Sequence, residues 1–217
     1  MAGVIGIIGG TGPEGKGLAL RFALAGERVV VGSREEARAR EAAAGLAPMT
    51  PPGSIRGATN IDVALEAGIV VISVPYEAQK DTVFTLKDAL AGKLVVCVVA
   101  PLAFAKGWAS SVTVPEGSAA KQAQALLPRS RVVAAFQNVS AHELLDPARS
   151  VEADVVVCSD DVDAKRQVMA LAGRIPGVRG VDGGGLDNAR YVEDLTALLL
   201  NINRIHKAHS SIKIVGI

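Results

Sequence analysis

Aromatic side chains are scarce in this 217-residue chain: 3% of the residues, with one tryptophan, two tyrosines and four phenylalanines. A core must therefore be built from Val, Ile, Leu and Ala, and a hydrophobic content of 49% is enough to fill a sizeable one. Only two cysteines occur, Cys97 and Cys158, each inside an apolar strand-like run. They read as core thiols in a reducing compartment and argue against a disulfide framework or a thiolate metal site. No excess of either charge exists, since 23 Lys and Arg against 22 Asp and Glu leave +1. That balance gives no reason to expect nucleic acid or a membrane surface as a partner. Long apolar runs are also missing. The longest, 94–105, is interrupted by Pro101 and is too short to span a bilayer. No basic-then-apolar leader precedes the first strand, so a soluble, cytoplasmic protein is expected. The three histidines, His142, His206 and His209, have no metal-binding spacing with cysteines or carboxylates. Neither a nucleophile elbow nor a reactive-cysteine context appears.

What is present begins almost at once. Ile5-Gly6-Ile7-Ile8 is an apolar run that breaks into Gly9-Gly10-Thr11-Gly12-Pro13-Glu14-Gly15, and a helical pattern follows. Gly10, Gly12 and Gly15 satisfy G-x-G-x-x-G between a strand and a helix. The first glycine permits the tight turn, the second lets backbone approach a pyrophosphate, and the third lets helix and strand pack closely. Unpaired N–H groups at the helix start then face the phosphates. A plain tight turn is the alternative.

A second strand, 28–32, ends in Gly32-Ser33-Arg34. NAD-binding folds place a carboxylate there for the ribose 2′-hydroxyl; here it is absent. A hydroxyl and a guanidinium suit a 2′-phosphate, and Arg38 adds a second cation one helical turn on. NADP(H) is therefore expected over NAD(H). Ser33-x-x-Glu36 is also a capping box, which would account for both residues without a ligand.

Further along, Asn60 reads as the N-cap of a helix over 61–67, and 69–74 as a buried parallel strand ending in Pro75-Tyr76. Tyr76 either lines a cofactor groove or is an ordinary loop tyrosine. A helix over 78–90 leads to a strand at 94–99 and then an irregular loop over 100–117. The strand 131–136 ends in Gln137-Asn138-Val139, whose polar side chains either orient a bound ring or satisfy loop backbone. Ser118 is a helix cap. Strands at 153–158 and 178–181, the last of the parallel set, flank a helix. A long helix over 188–207 carries Leu195, Leu198, Leu199, Ile202 and Ile205 as one broad apolar face, for core packing or a dimer seam. The pattern predicts an α/β chain: a Rossmann-type, doubly wound, mostly parallel sheet with a small C-terminal helical part. A dinucleotide site without an obvious acid or base suits hydride transfer, in which the cofactors carry the chemistry.

Several stretches carry a resemblance: Gly9-Gly10-Thr11-Gly12, Val31-Gly32-Ser33-Arg34, Val74-Pro75-Tyr76-Glu77, Ala105-Lys106-Gly107-Trp108, Leu186-Asp187-Asn188 and Glu193-Asp194-Leu195-Thr196. In order and nearly end to end, they resemble the NADP-dependent oxidoreductases of the deazaflavin coenzyme F420. The resemblance implies a Rossmann NADP-binding domain over 1–158, a small C-terminal domain over 159–217, and a homodimer. It implies reversible hydride transfer between nicotinamide carbon 4 and deazaflavin carbon 5, with no side chain catalytic in its own right. By position, Thr11, Gly12, Pro13 and Glu14 would face pyrophosphate and ribose. Thr11, Ser33, Arg34 and Arg38 would hold the 2′-phosphate. Pro75 and Tyr76 would lie near the NADP, Pro101 and Leu102 beside the two rings, and Gln137, Asn138, Val139, Leu195 and Thr196 around the deazaflavin. Gln137 departs from the histidine that relatives often carry, and glutamine cannot titrate. Lys106, Lys207 and Lys213 are the cations considered for the anionic coenzyme tail. Two other readings stand beside this one: an NADPH-dependent reductase of a flavin, imine or ferric chelate, and a non-catalytic NADP(H)-sensing dimer.

Overall fold

A computed structural model describes residues 3–217. Runs of Val and Ile form strands that alternate with helices. β1 (Val4–Ile8) leads to α1 (Pro13–Leu24), β2 (Arg28–Ser33) to α2 (Glu36–Leu46), β3 (Ile55–Thr59) to α3 (Asn60–Glu66), and β4 (Ile69–Ile72) to α4 (Tyr76–Leu86). Then come β5 (Leu94–Cys97), β6 (Leu102–Ala105), β7 (Trp108–Ser111), α5 (Ala119–Leu126), β8 (Arg131–Ala134) and α6 (Ala141–Leu145). β9 (Ala153–Val157), α7 (Val162–Ala172), β10 (Val178–Asp182) and α8 (Ala189–His206) follow.

Six strands form one parallel sheet in the order β3-β2-β1-β4-β5-β8. This is the doubly wound arrangement, and its winding reverses between β1 and β4, where ligands of such sheets bind. Because side chains alternate between faces, Ile7, Val31, Val71 and Val96 bury one face beneath α1, α2 and α7. Ile8, Val30, Ile72 and Val95 bury the other beneath α3, α4 and α5. Both cysteines are free and buried, and burial pushes both thiols up, Cys158 to about 11.

Four expectations need correction. The strand at 178–182 is parallel to β9 alone, in a separate two-stranded sheet. That pair meets β8 at an antiparallel bridge between Ala134 and Cys158, beside which the Ser159 hydroxyl donates to the Val132 carbonyl at 2.7 Å. The 100–117 loop contains the β6–β7 hairpin, closed by Lys106 and Gly107 at φ 49° and 81°. Two positive-φ residues suit a two-residue hairpin turn, and alternation too short to stand out hid the strands. Asn60 does not cap α3; Thr59 does, its hydroxyl accepting the Asp62 N–H at 3.3 Å. The predicted face of the last helix is divided: Leu199 is buried, whereas Leu198 and Ile205 are 55% and 60% exposed.

The segment after α8 is held along β9. The Asp154 N–H donates to the Ile212 carbonyl at 2.8 Å, and the Asp154 carboxylate, itself buried, takes a two-pronged contact from Arg179 at 3.0 and 2.7 Å. That guanidinium holds the carboxyl below its usual range.

Candidate functional site

The turn after β1 is an open cradle. Gly9 takes φ +70°, and the Gly10 N–H donates to the Gly32 carbonyl at 2.9 Å, tying β1's end to β2's. A Cβ on Gly15 would lie 2.6 Å from the Gly10 Cα, so helix and turn touch there through glycine alone. A Cβ on Gly12 would meet no protein atom within 4 Å. The protein does not need glycine at 12 for its own packing, and the space in front is open. Gly12 is also the N-cap of α1 and makes no side-chain cap, and Pro13 at the first helical position has no N–H. The helix start thus directs uncapped amides and its positive dipole end toward that space.

At the end of β2 the capping box does not form. Glu35, not Ser33, precedes α2, and the Ser33 hydroxyl accepts the Glu35 N–H at 3.3 Å. Ser33 and the exposed Arg34 share a hollow of about 370 Å³ with Thr59, Asn60 and α4. Thr11 and Arg38 lie instead in a second hollow between α1 and α2, together with Lys16 and Glu41. Arg38 also faces Glu35 at 3.8 Å, both largely exposed. The four residues predicted for the 2′-phosphate are therefore distributed over two hollows. Asn60, read as a cap, proves to be a fastener: its Oδ1 accepts the Gly9 N–H at 3.2 Å. It passes so close over β2 that a Cβ on Gly32 would sit 2.7 Å from that oxygen.

A third cavity, about 280 Å³, opens beside the start of α1. Glu14, Gln137, Asn138, Val139, Thr196, Leu199 and Leu200 line it. Phe136, at φ +73°, turns the chain into this loop. A bulky residue there costs on the order of 1–3 kcal/mol, offset by full burial and an edge-to-face contact with Phe22. The Gln137 amide nitrogen donates to the Cys97 carbonyl at 2.9 Å, and that of Asn138 to the Val192 carbonyl at 2.8 Å. Carbonyls accept only, so both amides have fixed orientations and their oxygens face away. Three enclosed oxygens in this lining have no protein partner: Glu14 Oε1, Gln137 Oε1 and Asn138 Oδ1. Burial pushes the Glu14 carboxyl up to about 8, although the helix start favours an anion. The two amide oxygens are unpaired acceptors that N–H or O–H donors from water or a ligand could satisfy.

Comparison with known proteins bears on this geometry. Residues 4–101 match the family model for NADP oxidoreductases dependent on coenzyme F420. An F420-dependent NADP reductase of Methanothermobacter thermautotrophicus is 42% identical over 205 residues, 92% of this chain and 88% of that protein. The F420-dependent NADP reductase of Methanocaldococcus jannaschii is 40% identical over 210 residues, 94% of each chain. The chain belongs to the F420-dependent NADP reductase family. Among solved structures, an Arthrobacter sp. FB24 protein provisionally assigned as an F420-dependent NADP-reductase superposes with a TM-score of 0.83. It is 26% identical, with 98% of this chain and 99% of that one covered.

Other positions that the resemblance to F420-dependent NADP reductases singled out fall as follows. Pro75 is the N-cap of α4, and Tyr76 leans toward α5, where the Gln122 amide donates to its hydroxyl at 3.5 Å. Pro101 is buried and its carbonyl accepts the Val112 N–H at 2.9 Å; Leu102 opens the hairpin. Thr196 donates to the Gln137 carbonyl at 3.1 Å, whereas Leu195 is half-buried outside the cavity lining.

Four anchoring residues escaped the sequence reading. Arg21 is buried on α1, and its guanidinium donates to the carbonyls of Glu143, Leu144, Asp146 and Arg149, fixing the loop below the cavity. Glu193 on α8 accepts the Ala119 and Ala120 N–H groups at 2.7 and 3.0 Å, so α8 caps α5. Burial pushes the Glu193 carboxyl up to about 7 despite those bonds. Asn201 pairs with both backbone groups of Ala109 at 2.9 Å, and Arg204 lies over the Trp108 ring, so the hairpin is docked on α8. Helical periodicity of apolar residues cannot register polar contacts made by the same helix.

Proposed function

We propose that this chain transfers hydride reversibly between NADP(H) and coenzyme F420. The observation that carries the reading is 42% identity, over 92% of this chain, with an F420-dependent NADP reductase. The residues present suit both coenzymes. An open glycine turn and uncapped helix amides suit a pyrophosphate. Ser33 and Arg34, with no acid at the end of β2, suit a 2′-phosphate. Unpartnered oxygens beside apolar Leu199 and Leu200 suit the edge of a flat, donor-bearing ring. When bound, the two coenzymes supply the redox chemistry themselves. The protein's part is to align them: the amides of α1 hold phosphate, Arg34 selects the donor, and Gln137 and Asn138 orient a ring.

In this reading residues 1–158 bind NADP(H), and 159–217 supply α8 as one wall. Leu198, Leu200 and Ile205 on α8, with Phe104 and Trp108 on the hairpin, are exposed apolar side chains that support a homodimer seam. Among the described residues no helix is long and apolar enough to cross a membrane; we assign the protein to the cytoplasm.

Gln137, which cannot titrate, favours a second reading in which the acceptor is a flavin, an imine or a ferric chelate. An acceptor panel with NADPH separates them. We expect loss of deazaflavin absorbance with F420 and slow or no turnover with the rest; the reverse order would favour the second reading.

A further inference from the structure

The cavity at the start of α1 contains a titratable group that hydride transfer itself does not require. Glu14 shares its lining with Gln137 and Asn138, which are 7% and 5% exposed and held by their amide nitrogens to fixed carbonyls. All three side chains leave an enclosed oxygen unpaired. A carboxylate in that company is a negative charge among acceptors, with no cation beside it in the lining. A carboxylic acid there supplies a donor to the same group.

We propose that the charge on Glu14 sets which redox form of the nicotinamide coenzyme the cavity prefers. The inference rests on the NADP(H) reading above. A dinucleotide lies across the switch point between β1 and β4, and the 2′-phosphate side is the end of β2. The nicotinamide half then lies toward β5 and β8, where Gln137 and this cavity are. Oxidised nicotinamide carries a positive ring and the reduced ring is neutral. A protonated Glu14 is indifferent to that difference, and an ionised one attracts the cation. Rising pH should therefore favour NADP+ over NADPH. By linkage, NADP+ binding should drive a proton off Glu14, whereas NADPH binding should not.

The other titratable groups around Glu14 are few. His142 on α6 and His209 in the segment after α8 line the same cavity, their rings stacked at 3.9 Å. Lys16 faces the neighbouring hollow. From α8 the lining is Thr196, Leu199, Leu200 and Asn203, all uncharged.

The test measures binding rather than turnover. Dissociation constants for NADP+ and NADPH are determined by calorimetry from pH 6 to 9.5 in the wild type and in Glu14→Gln, which mimics the protonated acid. The ratio cancels ionisation of the 2′-phosphate, common to both forms. We expect the wild-type preference for NADP+ to rise by about tenfold through a step near pH 8, a usual size for coupled sites. In Glu14→Gln the ratio should be flat, and proton release on NADP+ binding, read from buffers of different ionisation enthalpy, should disappear. A flat wild-type ratio overturns the inference. So does a step that survives in Glu14→Gln, or one that vanishes in His142→Gln/His209→Gln while Glu14 is intact. Failure to bind either nucleotide overturns the NADP(H) reading and this inference with it. A step near pH 8 without any F420 turnover supports the inference and removes only the choice of acceptor.

Discussion

The Gln137 side chain donates to the Cys97 carbonyl at 2.9 Å, leaving its own oxygen buried and without a protein partner. One hydrogen bond to β5 thus fixes which end of the amide donates and which is left as an unpaired acceptor. The Cys97 carbonyl also accepts the Ala135 N–H at 3.3 Å, so it keeps a partner if Gln137 is lost. Gln137→Met should leave the urea midpoint unchanged or slightly raised, because it removes a buried unsatisfied oxygen. Coenzyme affinity, followed by fluorescence titration, should fall by about 1 kcal/mol, the net worth of one hydrogen bond.

Arg34 is exposed and, among the described residues, makes no ion pair, so its guanidinium is free for a phosphate. Replacement by Ala should weaken NADPH binding by on the order of 1–3 kcal/mol, as for a charge-assisted contact. NADH binding should change little. Equal losses for both nucleotides would remove the 2′-phosphate assignment.

Gly12 and Gly15 separate binding from folding. Gly12→Val adds atoms where the protein has none within 4 Å, so the thermal midpoint should hold while NADP(H) binding disappears. Gly15→Ala drives a methyl to 2.6 Å from the Gly10 Cα and should destabilise by about 1–3 kcal/mol, the usual cost of overpacking. Intact nucleotide binding in Gly12→Val would place the pyrophosphate elsewhere.

Glu193 joins the last helix to the start of α5 through two backbone amides. Glu193→Ala strands both N–H groups and should cost about 2–4 kcal/mol at pH 5, read from urea unfolding. The pH dependence follows from the raised carboxyl. A group whose folded value, about 7, lies above its unfolded value of 4.5 stabilises fully below the unfolded value, and loses that stability as pH rises through the folded one. Wild-type stability should therefore decline between roughly pH 5 and 8, by on the order of 2–3 kcal/mol from this residue. Glu193→Gln should flatten that decline; an unchanged slope would assign it elsewhere.

The sheet was legible because its signal is local. Val-rich runs such as 69–72 and 94–97, spaced by helices and opened by the glycine turn, give a doubly wound parallel sheet, although they do not say that the strand at 178–182 leaves it for β9. The glycine turn was legible too, because the spacing of Gly10, Gly12 and Gly15 between a strand and a helix is itself a local signal. Contacts between distant polar residues were not. Asn60 fits an N-cap in sequence, yet Thr59 caps the helix and Asn60 reaches Gly9, 51 positions away. Ser33 and Glu36 fit a capping box, but the helix starts later, behind Glu35. Neither Arg21 nor Glu193 looks different from a surface charge until the chain has folded around it. The β6–β7 hairpin was missed because Leu102-Ala103-Phe104-Ala105 has weak alternation, and its docking depends on Asn201, some 90 residues on.

On the proposed function, two redox rings are aligned so that hydride crosses directly between them. The decisive measurement uses NADPH deuterated at the transferred position of carbon 4, oxidised F420 and the purified protein in ordinary water. Deuterium should be found at carbon 5 of the reduced deazaflavin, with none lost to solvent. A reduced deazaflavin without deuterium at that carbon, or no reduction of F420 at all, would rule out direct transfer.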